Sequence, residues 1–334
     1  MTLFVSILVF LVVLFAYVHI MAQYAKSQDM EIYEADFAGN AGLQEICDVR
    51  QPVVVELRGA APDFFAEATL PKFLRAGATS LVALRDGGDY LAAGDAPVEG
   101  IALPFKTVVE MLDADADARL FSDGNADFAE DADLAADFGE LDRLLRPPGT
   151  VQTRYDVMLG ARGAHTPLRW AADHRRFVVV CAGSVSVKMT PFKSGKYLHE
   201  VRDYASCEFR SQIDVWAPQA RFAGDLERVK FLEFELPAGS ALYVPPYWWY
   251  SLKYAEAEDS LLLGYTYNTL LNRLANAGDL ARCALQRHNT VARVGRERRE
   301  EAAEGGEDEG GEDDSASLAE RAGEPEAQLG DIDE

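Results

Sequence analysis

From Thr2 to Ala22 the chain carries no Asp, Glu, Lys or Arg, and Leu3-Phe4-Val5 and every residue from Ile7 to Phe15 are apolar. No other feature constrains the fold so strongly, because a segment in hydrocarbon must satisfy its own backbone hydrogen bonds, and a lone one does so as a helix. At about 1.5 Å per residue it spans roughly 31 Å, enough to cross a bilayer core. A cleaved signal peptide is the competing reading. There is no basic n-region, the apolar run exceeds an ordinary h-region, and Ala22-Gln23-Tyr24 is not a small-x-small cleavage site. The sequence therefore predicts a permanent single-pass anchor over residues 1–24, with the membrane as its partner. Lys26 is the only basic side chain near either end of the span, which favours the C-terminal bulk on the cytosolic side.

The remaining 310 or so residues are long enough to bury a sizeable core. A net charge of −23 argues against a nucleic-acid partner, since phosphate neutralisation needs clustered Lys and Arg. Much of that charge is local: from Glu300 to Glu334 fifteen acids stand against Arg321 alone. With low hydrophobicity and like charge, residues 295–334 are expected to form a disordered acidic tail. Cys47, Cys181, Cys207 and Cys283 show no CxxC or Cys/His metal spacing and read as buried or incidental thiols. Together with the lack of an Asn-x-Ser/Thr sequon, they lean toward a reducing, non-glycosylated compartment.

Residues 25–50 read as a stalk and entry segment. Gln51 to Gly59 is a strand entered through Pro52, Thr79 to Leu84 another β run, and Phe105 to Leu112 has helical spacing. Asp113 to Leu145 should form short helices with solvated acidic faces, its carboxylates at the surface rather than on a metal, because no EF-hand spacing occurs. Arg146-Pro147-Pro148-Gly149 breaks the chain. Beyond it, short runs rich in Val, Tyr, Phe and Leu cover Thr153–Leu159, Arg176–Cys181, Ser184–Thr190, Lys230–Leu236, Ala241–Val244, Trp249–Tyr254 and Leu261–Tyr267. They suggest a small barrel or jelly roll, with Ala182-Gly183-Ser184 as a tight hairpin turn and Pro191 to Val229 as an ordered excursion. Residues 271–294 are amphipathic, with Leu271, Leu274 and Leu285 among Arg273, Arg282 and Arg287.

Two motifs resemble the metal-binding core of the JmjC and cupin-like 2-oxoglutarate oxygenases. One is Gly163-Ala164-His165-Thr166-Pro167-Leu168-Arg169-Trp170-Ala171. The other is Phe234-Glu235-Leu236-Pro237-Ala238-Gly239-Ser240-Ala241-Leu242-Tyr243-Val244-Pro245, continuing through Pro246-Tyr247-Trp248-Trp249-Tyr250. The resemblance implies a mainly β fold with flanking helices, a double-stranded β-helix over residues 51–270. In the family, Thr-Pro-Leu-His-x-Asp and Trp-Trp-His supply two imidazoles and a carboxylate to Fe(II); here Arg169, Ala171 and Tyr250 hold those places. A facial triad needs nitrogen and oxygen lone pairs, whereas guanidinium has only donors and Ala offers none.

Thr166 matches the threonine that holds 2-oxoglutarate. The family's basic anchor falls on Val185; Lys188 lies nearby, but strand alternation sends it to the opposite face. Relocated metal ligands would have to come from His165, Asp173 and His174, with His165 sharing strand parity with Arg169 and His174 solvated. If Arg169 points inward it must be paired, with Tyr250 and a carboxylate or with an anionic ligand. The possible ligand-binding set is thus Thr166, Arg169, Trp248 and Tyr250.

These residues lead to a membrane-anchored, non-catalytic JmjC/cupin-like binding or scaffolding protein, with no cofactor expected and an unknown protein partner. The alternative is an Fe(II)/2-oxoglutarate-dependent protein hydroxylase with relocated ligands. Residues 271–294 either form a homodimer contact, as the resemblance implies, or pack on their own barrel. Gly-x-Ser-x-Gly, P-loop and Gly-x-Gly-x-x-Gly fingerprints are absent from the sequence.

Overall fold

The computed structural model describes residues 2–289, so the expected acidic tail (295–334) and the end of the amphipathic stretch (290–294) lie outside the described residues. Helix Thr2–Gln23 carries the apolar run, with none of its hydrophobic window covered by the rest of the chain, and is long and apolar enough to cross a membrane. The segment just beyond this helix is docked rather than free. Arg50 donates to the carbonyls of Gln23 (2.9 Å) and Ala25 (2.5 Å) at the helix end, where acceptors are left open. The Tyr24 hydroxyl donates to the Ala275 carbonyl, and Lys26 Nζ lies 3.3 Å from the centre of the Phe192 ring. The stretch read as stalk also feeds the fold. Tyr33–Asp36 (β1) pairs in parallel with Val53–Glu56 (β2), and helix Asn40–Asp48 buries Leu43 and Cys47.

The chain continues through Leu81–Asp86 (β3), Ile101–Pro104 (β4) and Leu120–Ser122 (β5). Then come Thr150–Gly160 (β6), Arg169–Trp170 (β7), Arg175–Ala182 (β8), Ser184–Thr190 (β9) and Glu200–Asp203 (β10). Glu208–Ser211 (β11), Leu232–Pro237 (β12), Ser240–Val244 (β13), Trp249–Tyr254 (β14) and Leu261–Thr269 (β15) complete the set. They form a nine-stranded sheet, β1-β2-β13-β8-β15-β6-β5-β3-β4, and a six-stranded one, β10-β11-β7-β14-β9-β12. From β6 onward the chain passes repeatedly between them: β6, β8, β13 and β15 lie in the first, β7, β9, β12 and β14 in the second.

Burial explains the composition. Strands β8, β13 and β15 are almost continuously buried, as apolar runs covered on both faces should be. On one side, helix Ala135–Leu145 lays Phe138 5.2 Å from the Tyr155 ring and 5.9 Å from Tyr265. On the other, Val185, Val187 and Met189 of β9 and Leu252 of β14 join the same core as Val157, Val178 and Leu263. Strand β9 alternates as its sequence requires, Lys188 facing away from Val185.

The structure corrects three expectations. Gly183 does not close a hairpin, because β8 and β9 lie in different sheets; it is a one-residue corner at φ +70°, and a Cβ would sit 2.5 Å from the Asp259 carbonyl. The Asp-rich stretch does form helices, but Asp123 and Asp142 within it are buried rather than solvated. Cys207 and Cys283, read as incidental thiols, are joined in a disulfide with Cα atoms 5.3 Å apart, while Cys47 and Cys181 are free and buried. Disulfides persist in oxidising compartments, so this bond opposes the cytosolic placement that Lys26 suggested. It ties helical residues 277–289 to the turn before β11. Ala275 and Cys283 are buried, whereas Leu274 and Leu285 are exposed.

Candidate functional site

Strand β7 is only two residues long, yet it fixes the centre of the site, because Arg169 pairs with Tyr250 of β14 on one side and Arg210 of β11 on the other. The Arg169 side chain is 12% exposed and points inward. Its Nη1 donates to Glu208 Oε1 at 2.9 Å and its Nη2 to Asp123 Oδ2, and the Tyr250 ring centre lies 5.8 Å from the guanidinium carbon. Both carboxylates are shared with Arg85, whose Nε is 3.1 Å from Asp123 and whose Nη1 is 3.6 Å from Glu208. Tyr90 closes the ring, accepting from Arg85 at 2.6 Å and donating to Glu208 at 3.2 Å.

A second ion-pair group abuts the first. Arg176 donates to the Tyr250 hydroxyl and to Asp173, both at 2.8 Å, while Arg154 and Asn268 each donate to Asp173 at 3.0 Å. Arg85, Asp123, Arg169 and Glu208 of the first group and Arg154, Arg176 and Tyr250 of the second line a cavity of about 200 Å³ that also includes Ala171 and Asp156. Asp156 accepts from the backbone of Gly124 (2.9 Å) and Asn125 (2.8 Å). Across the two groups four guanidiniums meet three carboxylates, Asp123, Glu208 and Asp173, the pairing under which charges tolerate a low-dielectric interior.

The protonation states follow from this packing. Burial alone would raise the Asp123 carboxyl, but Arg169 and Arg85 outweigh it and hold the group below its ordinary range. Asp156 goes the other way: burial, reinforced by the Asp123 charge, pushes it up to about 6 against its two backbone hydrogen bonds. Burial disfavours the Arg169 cation, yet Asp123, Tyr250 and Glu208 more than compensate, so it stays charged. Asp173 is held low by Arg176 and Arg154 in spite of its burial.

The remaining residues singled out in the sequence lie elsewhere. Thr166 is fully buried; its hydroxyl accepts from the Leu252 amide at 3.0 Å and lines a separate small cleft with His165 and Asp214. His165 pairs with Asp214 at 3.1 Å. Trp248 is a core residue, 1% exposed. His174 is half-buried rather than solvated, its Nδ1 without a partner, and burial with the neighbouring Arg175 pushes it down to about 4. Lys188 donates to the Val215 carbonyl at 3.2 Å and lies over Trp216, away from the Arg169 cavity. His165, Asp173 and His174 therefore do not converge, and no group of three or more His, Cys, Asp or Glu suited to a metal occurs among the described residues.

Fe(II) does not fit the three triad positions: Arg169 presents donors, Ala171 nothing, and the Tyr250 hydroxyl is engaged by Arg176. A 2-oxoglutarate carboxylate finds neither Thr166 nor Lys188 in the cavity. The sequence located Arg169 and Tyr250 but missed Arg85, Asp123, Asp156, Arg176 and Glu208, which supply most of the charge. Nothing in the spacing marks them; only the placing of β3, β5, β6 and β8 of the larger sheet opposite β7 and β11 of the smaller one gathers them. Compared with known proteins, the chain matches no family model and no curated protein.

Proposed function

We propose that the chain is a membrane-anchored, non-catalytic binding module built on a JmjC/cupin-like double-stranded β-helix whose metal site has become an ion-pair plug. The fold reading is supported by the strand order β13-β8-β15-β6 facing β7-β14-β9-β12, the interleaving expected when eight strands wind as a jelly roll. The functional reading is carried by one observation, the Arg169 guanidinium clamped between Asp123 and Glu208 where a ligand to iron would stand. A guanidinium held that way fills the centre with fixed donors and positive charge and itself offers no lone pair to a cation. Partner recognition then falls to the mouth of the domain and to residues 277–289 beside it.

Iron content and succinate release from 2-oxoglutarate, measured on the full chain in mild detergent, test the proposal. Metal below stoichiometry and no turnover above a protein-free control are the expected results. Stoichiometric iron with turnover abolished by His165→Ala would overturn it in favour of a relocated hydroxylase centre.

A further inference from the structure

A cleft at the foot of the domain stands apart from the Arg169 site. In a chain with 55 acidic and 32 basic side chains, Lys193, Lys196, Arg228 and Lys230 line a single cleft of about 410 Å³ together with Met30 and Tyr197. All four cations are exposed. Of the carboxylates nearest in sequence, Asp29 accepts from Gln51 at 2.9 Å, Asp225 pairs with His199 at 2.9 Å and Glu233 lies 3.6 Å from Lys188, while Glu31 and Glu227 are exposed. None of them forms a salt bridge to the cleft cations among the described residues. Lys196 and Arg228 instead flank the Tyr197 ring, 4.7 and 5.6 Å from its centre.

The cleft also lies close to the inner end of the anchor. Lys193 Nζ donates to the Gln28 carbonyl at 3.3 Å, and the neighbouring Phe192 ring lies under Lys26, three residues beyond the end of helix Thr2–Gln23. Three residues of extended chain reach at most roughly 10 Å, about one Debye length. A span seated in a bilayer therefore brings this cleft to the headgroup layer, where anionic lipids concentrate phosphate. Ammonium and guanidinium donors around an aromatic wall suit a phosphate monoester or diester with its glycerol backbone.

We propose that this cleft binds the phosphate headgroup of an anionic lipid in the membrane that the helix crosses; the inference rests on the anchor reading. The full chain in a neutral detergent is titrated with short-chain phosphatidic acid and, in parallel, with phosphatidylcholine of the same chain length. Bound lipid is counted by native mass spectrometry. Phosphatidic acid is expected to saturate at one per chain and phosphatidylcholine to bind weakly. Each cation removed should cost about fivefold in affinity, so Lys193→Ala with Lys230→Ala weakens binding roughly twenty-five-fold. Lys230→Arg retains binding, and Arg221→Ala, an exposed cation outside the cleft, leaves it unchanged. Equal binding of the two lipids, or a double variant indistinguishable from the unmodified chain, overturns the proposal. So does displacement of phosphatidic acid by inorganic phosphate at equal concentration, which would make the ligand a free anion. Alkali extraction separates failure of the anchor from failure of the cleft. A chain released from the membrane pellet removes the anchor, whereas one that stays pelleted but does not discriminate between lipids removes the cleft alone.

Discussion

Removing the Arg169 guanidinium would strand Asp123 and Glu208 in the interior with the Arg85 cation and the Tyr90 hydroxyl to answer them. Breaking one side of a buried pair costs about 3–5 kcal/mol, and because Arg85 remains, Arg169→Met should fall toward the lower end. Adding Asp123→Asn recovers part of the loss by removing an uncompensated charge. Urea midpoints of the detergent-solubilised chain read both, and an Arg169→Met midpoint equal to the unmodified one would show that the network is not closed in solution. Two titrating groups make opposed contributions over one pH range. Asp156 binds its proton more tightly when folded, so its contribution is present below about pH 4 and lost as pH rises to about 6. His174 binds its proton less tightly when folded, so its contribution is present above about pH 6.5 and lost as pH falls toward 4. Asp156→Asn should therefore give a stability that rises more steeply with pH across this interval than the unmodified chain, and His174→Gln one that rises less steeply. Identical pH profiles for the two variants would contradict the opposition.

At the level of elements, the corner between β8 and β9 depends on a single residue. Gly183→Ala must hold an L-residue at φ +70° and push its Cβ against the Asp259 carbonyl and Ser260, so a loss of about 1–3 kcal/mol or more is expected in the same denaturation assay. The sequence makes β9 and β14 legible to the residue, because alternation in the first and an aromatic-rich run in the second are strong local signals. It cannot tell which strands pair, and so Gly183 reads as a hairpin although its neighbours belong to different sheets. Strand β7 is too short for any periodicity, yet it sets the register of Arg169 against Tyr250. Asp123 reads as one more solvated acid in an Asp-rich stretch; its role arises only because β5, paired with β3, sets it beside Arg85 and within reach of Arg169. Thr166 is a motif residue whose hydroxyl accepts from a backbone amide instead of lining the Arg169 cavity.

For the molecule as a whole, the bond between Cys207 and Cys283 closes a loop across 76 residues, and its loss should cost about 2–5 kcal/mol. Cys207→Ser with Cys283→Ser, compared with the unmodified chain by thermal unfolding with and without reductant, measures that cost; a reductant effect that persists in the double variant would assign it elsewhere. Labelling intact membrane vesicles with a maleimide after reduction reports sidedness as well. With Cys47 and Cys181 buried, new labelling reports the bridge, and its accessibility from the oxidising face would decide between the disulfide and Lys26 as guides to topology. The attachment at Arg50 has a consequence for any encounter this domain makes. If the helix crosses a membrane as proposed, a domain fastened to the carbonyls at its end cannot sweep a large volume as a tethered head would, and it meets other molecules chiefly by sliding in the plane of the bilayer. On that reading its opposite numbers are residents of the same sheet of lipid, or objects brought to within one domain diameter of it.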